Sequence, residues 1–321
     1  MKLFFKRTKK FLKIVFKLLC FILGIVLFAL LVDFGWIFMR YTAFKKDFQD
    51  SFPIYGNTKG FVPQGLTYSD GYNIVLQTSH NKDTKTNMLY VIDFSTGSLI
   101  KALTLKNMNG ENIPEHIGGV ATDNQRVWVT GDYQVYEYSL DEIVGTTNRD
   151  IACYQSGQVG TRGDFCYYGN GFLWIGDFYF PYFYEVPDKN PLLWAFNTSE
   201  LNYQKPQYIL SIPDKVQGMS LVDGKFYFSR SYTYLMNSKF SCYKDVLSKP
   251  YEVFKVNGFD VPYYRISEDD LIEEVVLPPM AEGFFYYDNS FFISFESNAD
   301  RYRLAFPKIK NIIRYENRQV S

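Results

Sequence analysis

The stretch Val62-Pro63-Gln64-Gly65-Leu66-Thr67-Tyr68 decides the fold. A turn, Ser69-Asp70-Gly71, follows it, and then a compact apolar run, Ile74-Val75-Leu76, that ends at polar residues. The same order of glycine, short strand, turn and apolar run returns four more times. The repeat glycines lie in Gln64-Gly65-Leu66, Gly118-Gly119-Val120, Arg162-Gly163-Asp164, Gln217-Gly218-Met219 and Glu282-Gly283-Phe284. The later turns are Asp123-Asn124, Gly169-Asn170-Gly171, Asp223-Gly224 and Asp288-Asn289. Their apolar runs are Val127-Trp128-Val129, Phe172-Leu173-Trp174-Ile175, Phe226-Tyr227-Phe228 and Phe291-Phe292-Ile293.

Turn residues between two short apolar runs mark a hairpin. Runs apolar on both faces suit strands covered on both sides. Hairpins repeating every ~45–65 residues match small sheets packed radially around an axis. Glycine serves the innermost strand, where the absence of a Cβ lets backbones converge. Third strands are expected at Met88–Phe94, Gln134–Tyr138, Leu192–Phe196 and Phe240–Tyr243. The reading is therefore an all-β chain, a β-propeller of five blades, with room for a sixth around Tyr251 to Leu277. Little chain follows Gly283, so the lead-in near Phe52 to Tyr55 is expected to supply the outer strand of the last blade and close the ring.

Composition agrees, since 27 Tyr and 30 Phe favour strands. Of 34 basic residues, ten lie in residues 1–46, against one of 34 acids, Asp33. The remaining body thus carries 24 bases and 33 acids, a net −9. An acidic body argues against a nucleic-acid partner, which needs a cationic footprint, and is compatible with binding cations. The cysteines are Cys20, Cys153, Cys166 and Cys242. No CxxC metal spacing occurs, and Cys153 with Cys166 is the nearest pair to bridge. Buried, unpaired thiols are the simpler expectation.

Leu18 to Met39 is apolar except for Asp33. At about 1.5 Å per residue the run crosses a hydrocarbon core of roughly 30 Å. The Lys/Arg cluster before it marks the cytoplasmic flank, and Lys13 and Lys17 reach back to the headgroups. No small-residue cleavage site follows, so an uncleaved signal-anchor is expected rather than a signal peptide. The expected organisation is a cytoplasmic basic segment at 1–17, a single membrane span at 18–39, a linker and lead-in at 40–60, and the propeller at 61–321, outside the cytoplasm.

The segment Tyr90-Val91-Ile92-Asp93-Phe94-Ser95-Thr96-Gly97 resembles the third strand and turn of bacterial quinoprotein-like propeller repeats. In plan, five blades behind one N-terminal anchor, the chain is similar to the calcium-dependent nucleotidase (apyrase) family. That resemblance implies Ca²⁺ at the axis and turnover of a phosphorylated substrate.

Propeller geometry turns scattered residues into a site. Residues just before each inner strand and just after each second strand converge on one mouth. The first set is Gln64, Glu115-His116, Arg162, Gln217 and Glu282. The second is Ser79-His80, Asp132, Asp177, Arg230 and Glu296, and both histidines of the chain fall in these sets. Glu282, Asp132 and Asp177 offer the hard oxygen ligands of Ca²⁺. Glu282, Glu296, Asp177 and His116 are the candidate catalytic acids and bases. Gln64, His80, His116, Arg162, Gln217 and Arg230 are candidate ligand contacts, with Tyr179 and Tyr182 of the aromatic loop 178–184 and Tyr232 of the next blade offering flat rings to a sugar. Each has a structural counterpart reading. Glutamines satisfy backbone near an axis, arginines pair with the acids, and aromatic rings pack between blades.

No GxSxG, HExxH, EF-hand or phosphate-cradling glycine loop is present. Three readings follow. The propeller binds a glycan or other cell-envelope ligand with or without Ca²⁺, or it is a metal-dependent hydrolase of a phosphorylated or glycosidic substrate, or it docks a protein partner as a scaffold.

Overall fold

The computed structural model describes residues 2–45, 48–181 and 191–316. It forms two compact units, Met1–Ala43 and Phe44–Ser321. The first is a single helix, α1 (Lys2–Phe44). Its stretch Lys9–Trp36 is long and apolar enough to cross a membrane. Large side chains such as Phe21, Phe28 and Leu31 are exposed on it. Helix runs to Phe44, and β1 (Phe48–Pro53) begins soon after.

The second unit is a ring of five sheets. Blade 1 comprises β2 (Phe61–Ser69), β3 (Ile74–Asn81), β4 (Thr86–Asp93) and β5 (Leu99–Lys106). Blade 2 comprises β6 (Gly119–Thr122), β7 (Arg126–Gly131) and β8 (Gln134–Ser139). A short helix α2 (Leu140–Gly145), capped by Ser139, then leads to β9 (Asp150–Ala152), which adds in parallel to β5. The chain returns to blade 2 as its outer strand, β10 (Gln155–Gln158). Blade 3 is β11 (Phe165–Gly169), β12 (Phe172–Gly176), β13 (Leu192–Asn197) and β14 (Tyr208–Ser211). Blade 4 starts with β15 (Val216–Val222), β16 (Lys225–Arg230) and β17 (Ser238–Tyr243).

The segment read as a sixth blade does something else. Its hairpin, β18 (Glu252–Val256) and β19 (Phe259–Arg265), docks in parallel on β14 and widens blade 3. The next strand, β20 (Leu271–Leu277), is the outer strand of blade 4. The ring therefore has five blades.

Blade 5 is β21 (Ala281–Tyr287), β22 (Ser290–Phe295) and β23 (Asn311–Glu316), completed by β1 from the other end of the chain. β1 pairs antiparallel with β23, Phe48 opposite Tyr315. Phe52 lies between blade 5 and blade 1, against Phe292 and edge-on to Phe94. Ring closure thus joins residues far apart along the chain.

Apolar runs on both faces find their use between blades. Leu76 and Val91 of blade 1 pack with Val120 and Val129 of blade 2. Trp128 and Val135 meet Leu173 and Phe196, and Phe165 and Trp174 meet Phe226 and Phe228. Phe240 stands 4.9 Å, centroid to centroid, from Phe291 across blades 4 and 5. Cys153, Cys166 and Cys242 are buried and free within these layers.

Glycines pinch the axis. A Cβ on Gly65 would lie 2.6 Å from the Val120 nitrogen, and one on Gly283 would lie 2.6 Å from the Leu66 nitrogen. Gly118, Gly119 and Gly218 line the same constriction, whose free space is only about 10 Å³. Gly163 departs from this pattern. It precedes β11 with φ +73, so it serves a left-handed turn rather than the axial approach. Blade 3 meets Gly119 with Cys166 instead.

Candidate functional site

The two faces of the ring spend backbone strain differently. On the far face, where first and second strands are joined, the non-glycine residues with left-handed φ are Asn73, Asn124, Asn170, Asp223, Asp288 and Asn289. Asn and Asp adopt this conformation at low cost. The near mouth holds Tyr133, Lys215, Thr233 and Met280 in the same region, φ between +62 and +70. Such residues cost about 1–3 kcal/mol each and gather where a site over-determines the backbone. The near mouth is also where the candidate residues lie.

At blade 5, β21 places Glu282 in the core, 3% exposed, and the end of β22 places Glu296 against it. The two carboxyls share a hydrogen bond. Burial raises the Glu282 carboxyl well above its usual range, and the charge of Glu296 adds to that. Burial likewise pushes Glu296 to about 7, although the Tyr302 hydroxyl, the charge of Arg301 and the Glu282 proton all favour its ionised form. Like charges in contact do not both ionise readily, so Glu282 keeps its proton and donates it to Glu296. Gln217 of blade 4 donates its Nε2 to Glu282 Oε1 at 3.3 Å.

Across blades 1 and 2, the His80 and His116 rings meet edge to face with centroids 4.6 Å apart. Asn87 donates to the carbonyls of Ile113 and Glu115, which turns its Oδ1 toward His80 Nδ1 at 2.7 Å. His80 therefore donates from Nδ1 and keeps the lone pair on Nε2. Burial lowers its pKa. The His116 ring reaches solvent through the mouth, yet the protein around it, followed by repulsion from His80, brings its pKa down to about 4. Both imidazoles are neutral at neutral pH.

Blade 3 contributes a second group of acids. Asp177, buried behind β12, accepts from Thr161 Oγ1 at 2.5 Å and from the Arg162 backbone at 2.6 Å. Burial raises its pKa against those bonds. Asp164 accepts from the Phe178 backbone at 2.8 Å and pairs with Arg162 at 3.2 Å. Burial outweighs that cation and pushes Asp164 to about 7. Asp132 occupies the two-residue turn with Tyr133 and accepts from the His116 backbone at 3.0 Å.

The mouth thus gathers Glu282, Glu296, Gln217, His80, His116, Asp132, Asp177 and Arg162 around one hub. Gln64 is buried at the same axis, its carbonyl beside Gly283, and donates to the neighbouring Pro63 carbonyl. Other expected members lie elsewhere. Arg230 turns toward the outer strands, bound to Asp214 at 2.5 Å, Tyr243 at 3.1 Å and Glu274 at 3.5 Å. With Tyr179 it lines a separate cavity of about 290 Å³ between blades 3 and 4. Tyr232 stacks on buried Phe180 at 4.0 Å and on Phe178 at 6.0 Å, so its ring packs between blades. Tyr182 lies outside the described residues.

Among the described residues no three His, Cys, Asp or Glu side chains stand close enough to hold a metal ion. Glu282, Asp132 and Asp177 sit on three different blades, the two aspartates are taken up by backbone donors, and Glu282 holds a proton. These three carboxylates do not form one cluster.

The sequence reading missed Arg301, Tyr302, Asp164, Thr161 and Asn87. Arg301 and Tyr302 come from the β22–β23 connection, which no repeat marks. Its length was the available signal, since all such connections open on the near mouth.

Fold and mouth define a five-bladed β-propeller carrying an apolar N-terminal helix. No family model matches the chain. No curated protein matches its sequence. Among solved structures, glutaminyl cyclase of Myxococcus xanthus is similar at 10% identity, covering 84% of this chain and 97% of its own, with a TM-score of 0.49. A luciferin-regenerating enzyme is similar at 11% identity over 81% and 92%, with a TM-score of 0.43. The WD40 domain of Toxoplasma gondii coronin is similar at 10% identity over 82% and 54%, with a TM-score of 0.34. These are likenesses of fold alone.

Proposed function

We propose that this protein is a membrane-anchored propeller that binds a hydroxyl-rich ligand, a glycan of the cell envelope, at its near mouth. The observation that carries this is the buried, hydrogen-bonded pair Glu282 and Glu296, together with the edge-to-face imidazoles of His80 and His116, both groups lying within the field of Arg301. Buried donors and acceptors with little free charge suit a neutral partner that both donates and accepts, as a sugar does. Of the cations, Arg162 is paired with Asp164 and Arg230 with Asp214, while Arg301 acts on the histidines and Glu296 and would meet an acidic group of the ligand. Two-carboxylate glycosidic cleavage needs carboxyls about 5–9.5 Å apart, whereas this pair is in direct hydrogen-bond contact. The Lys/Arg cluster before the apolar helix supports a cytoplasmic N-terminus and an external propeller. The likeness of Tyr90–Gly97 to quinoprotein-like repeats enters this reading as a likeness of fold.

The test is a titration of the full chain, in detergent, with soluble oligosaccharides released from the cell wall. Saturable binding that weakens about tenfold in Glu282→Ala, a loss of roughly 1.4 kcal/mol, supports the reading. Absence of glycan binding, with capture of a protein partner through the same face, supports the scaffold reading instead.

A further inference from the structure

Beyond the glycine constriction the axis opens again on the far face, as a cavity of about 340 Å³ lined by the later residues of all five inner strands. Its size falls in the range of small-molecule sites. The walls carry Tyr68, Tyr167, Tyr168, Phe285 and Tyr286. The one charged residue that lines it is Asp223, in the β15–β16 turn, and no Lys, Arg or His does.

The hydrogen bonds of the wall decide what fits. Tyr68 donates its proton to Asn73 Oδ1 at 3.1 Å, and Tyr167 donates to the Leu221 carbonyl at 3.2 Å. Thr122 donates to the Arg126 carbonyl at 2.8 Å, and Tyr286 donates to Asn289 Oδ1 at 3.3 Å. These hydroxyls have spent their donors on the chain. What they turn to the cavity is acceptor lone pairs, together with ring faces and one carboxylate. Tyr168 and Thr67 also line the wall with hydroxyls, but with no cationic side chain there an anion would face the Asp223 carboxylate without a counter-charge. The wall complements a group that only donates and is positively charged.

We propose that the far mouth is a second ligand site, for a small organic cation such as an amine or quaternary ammonium, seated against the tyrosine faces near Asp223. The site is independent of the near mouth, from which the glycine constriction separates it.

The experiment titrates the full chain with choline and with its neutral isostere 3,3-dimethyl-1-butanol, read by calorimetry. Choline is expected to bind saturably and at least ~10-fold more tightly than the isostere. Asp223→Asn is expected to weaken choline about tenfold. Its fold should persist, because Asn suits the left-handed φ of +50 at that position. Glu282→Gln should leave choline binding unchanged. Equal binding of choline and isostere, no saturable binding of choline, or a D223N chain that binds choline as before would each overturn the proposal.

Discussion

His116 meets His80 edge-on, ring centroids 4.6 Å apart, although the two belong to different blades. Both are neutral there, because protein surrounds them, and His80 further disfavours a proton on His116. This sets the acid limb of stability. The unfolded chain takes up a proton on His116 near pH 6.5, and the folded chain does so only near pH 4. Stability therefore falls as pH drops through that window. Denaturation midpoints measured from pH 7.5 to pH 4 should show the decline, and His116→Gln should flatten it.

The carboxyl pair acts with the opposite sign. Glu296 holds its proton up to about pH 7 when folded and only to about pH 4.5 when unfolded. The stability this gives is present below pH 4.5 and is lost as pH rises through 7. In Glu296→Gln the titrating carboxyl is gone, so that limb should disappear. Midpoints for the variant are expected to exceed those of the parent at pH 8 and to approach them at pH 5.

Ring closure depends on Phe52, which is 5% exposed and bridges the last blade to the first. Phe52→Ala should cost about 3–5 kcal/mol. Gly97→Ala should also destabilise, since a Cβ there would lie 2.3 Å from that of Phe52 and its φ is +69. Thermal or denaturant unfolding of the full chain measures both.

The axial glycines differ from turn glycines in what they tolerate. Gly283→Ala drives a methyl into the backbone of β2, which cannot yield, and should cost several kcal/mol, about as much as a severe overpacking. Gly171→Ala meets nothing within 4 Å and bears only its φ of +79, so about 1 kcal/mol is expected. Comparable losses at the two positions would contradict the account of the axis.

The legible part of the sequence was whatever steric necessity repeats. Gly65, Gly119, Gly218 and Gly283 mark the axis because a Cβ at each would strike a neighbouring strand, blade 3 alone bringing a side chain, Cys166. The pairing of β1 with β23 followed from the short chain after Gly283. Hairpin grammar alone could not say where a hairpin docks, so Glu252–Arg265 read as a blade when it is an extension of blade 3. Repeat position placed Glu282, Glu296, His80 and His116 at one hub, but it cannot fix side-chain direction. Arg230, at the end of β16, is long enough to reach past β17 to Glu274, and so leaves the mouth. Arg301 and Tyr302 went unseen because they act from a connection without periodicity. Asp164 follows the repeat glycine Gly163, and its burial was invisible until β11 and β12 were in place.

The most direct test of the near mouth is a pH titration, from pH 4 to 9, of the full chain carrying carbon-13 in its glutamate carboxyls. One carboxyl signal should titrate close to pH 7, and that titration should vanish in Glu296→Gln. If every glutamate in the native chain instead titrates in the ordinary range near pH 4.5, Glu282 and Glu296 do not share a proton and the proposed site is wrong.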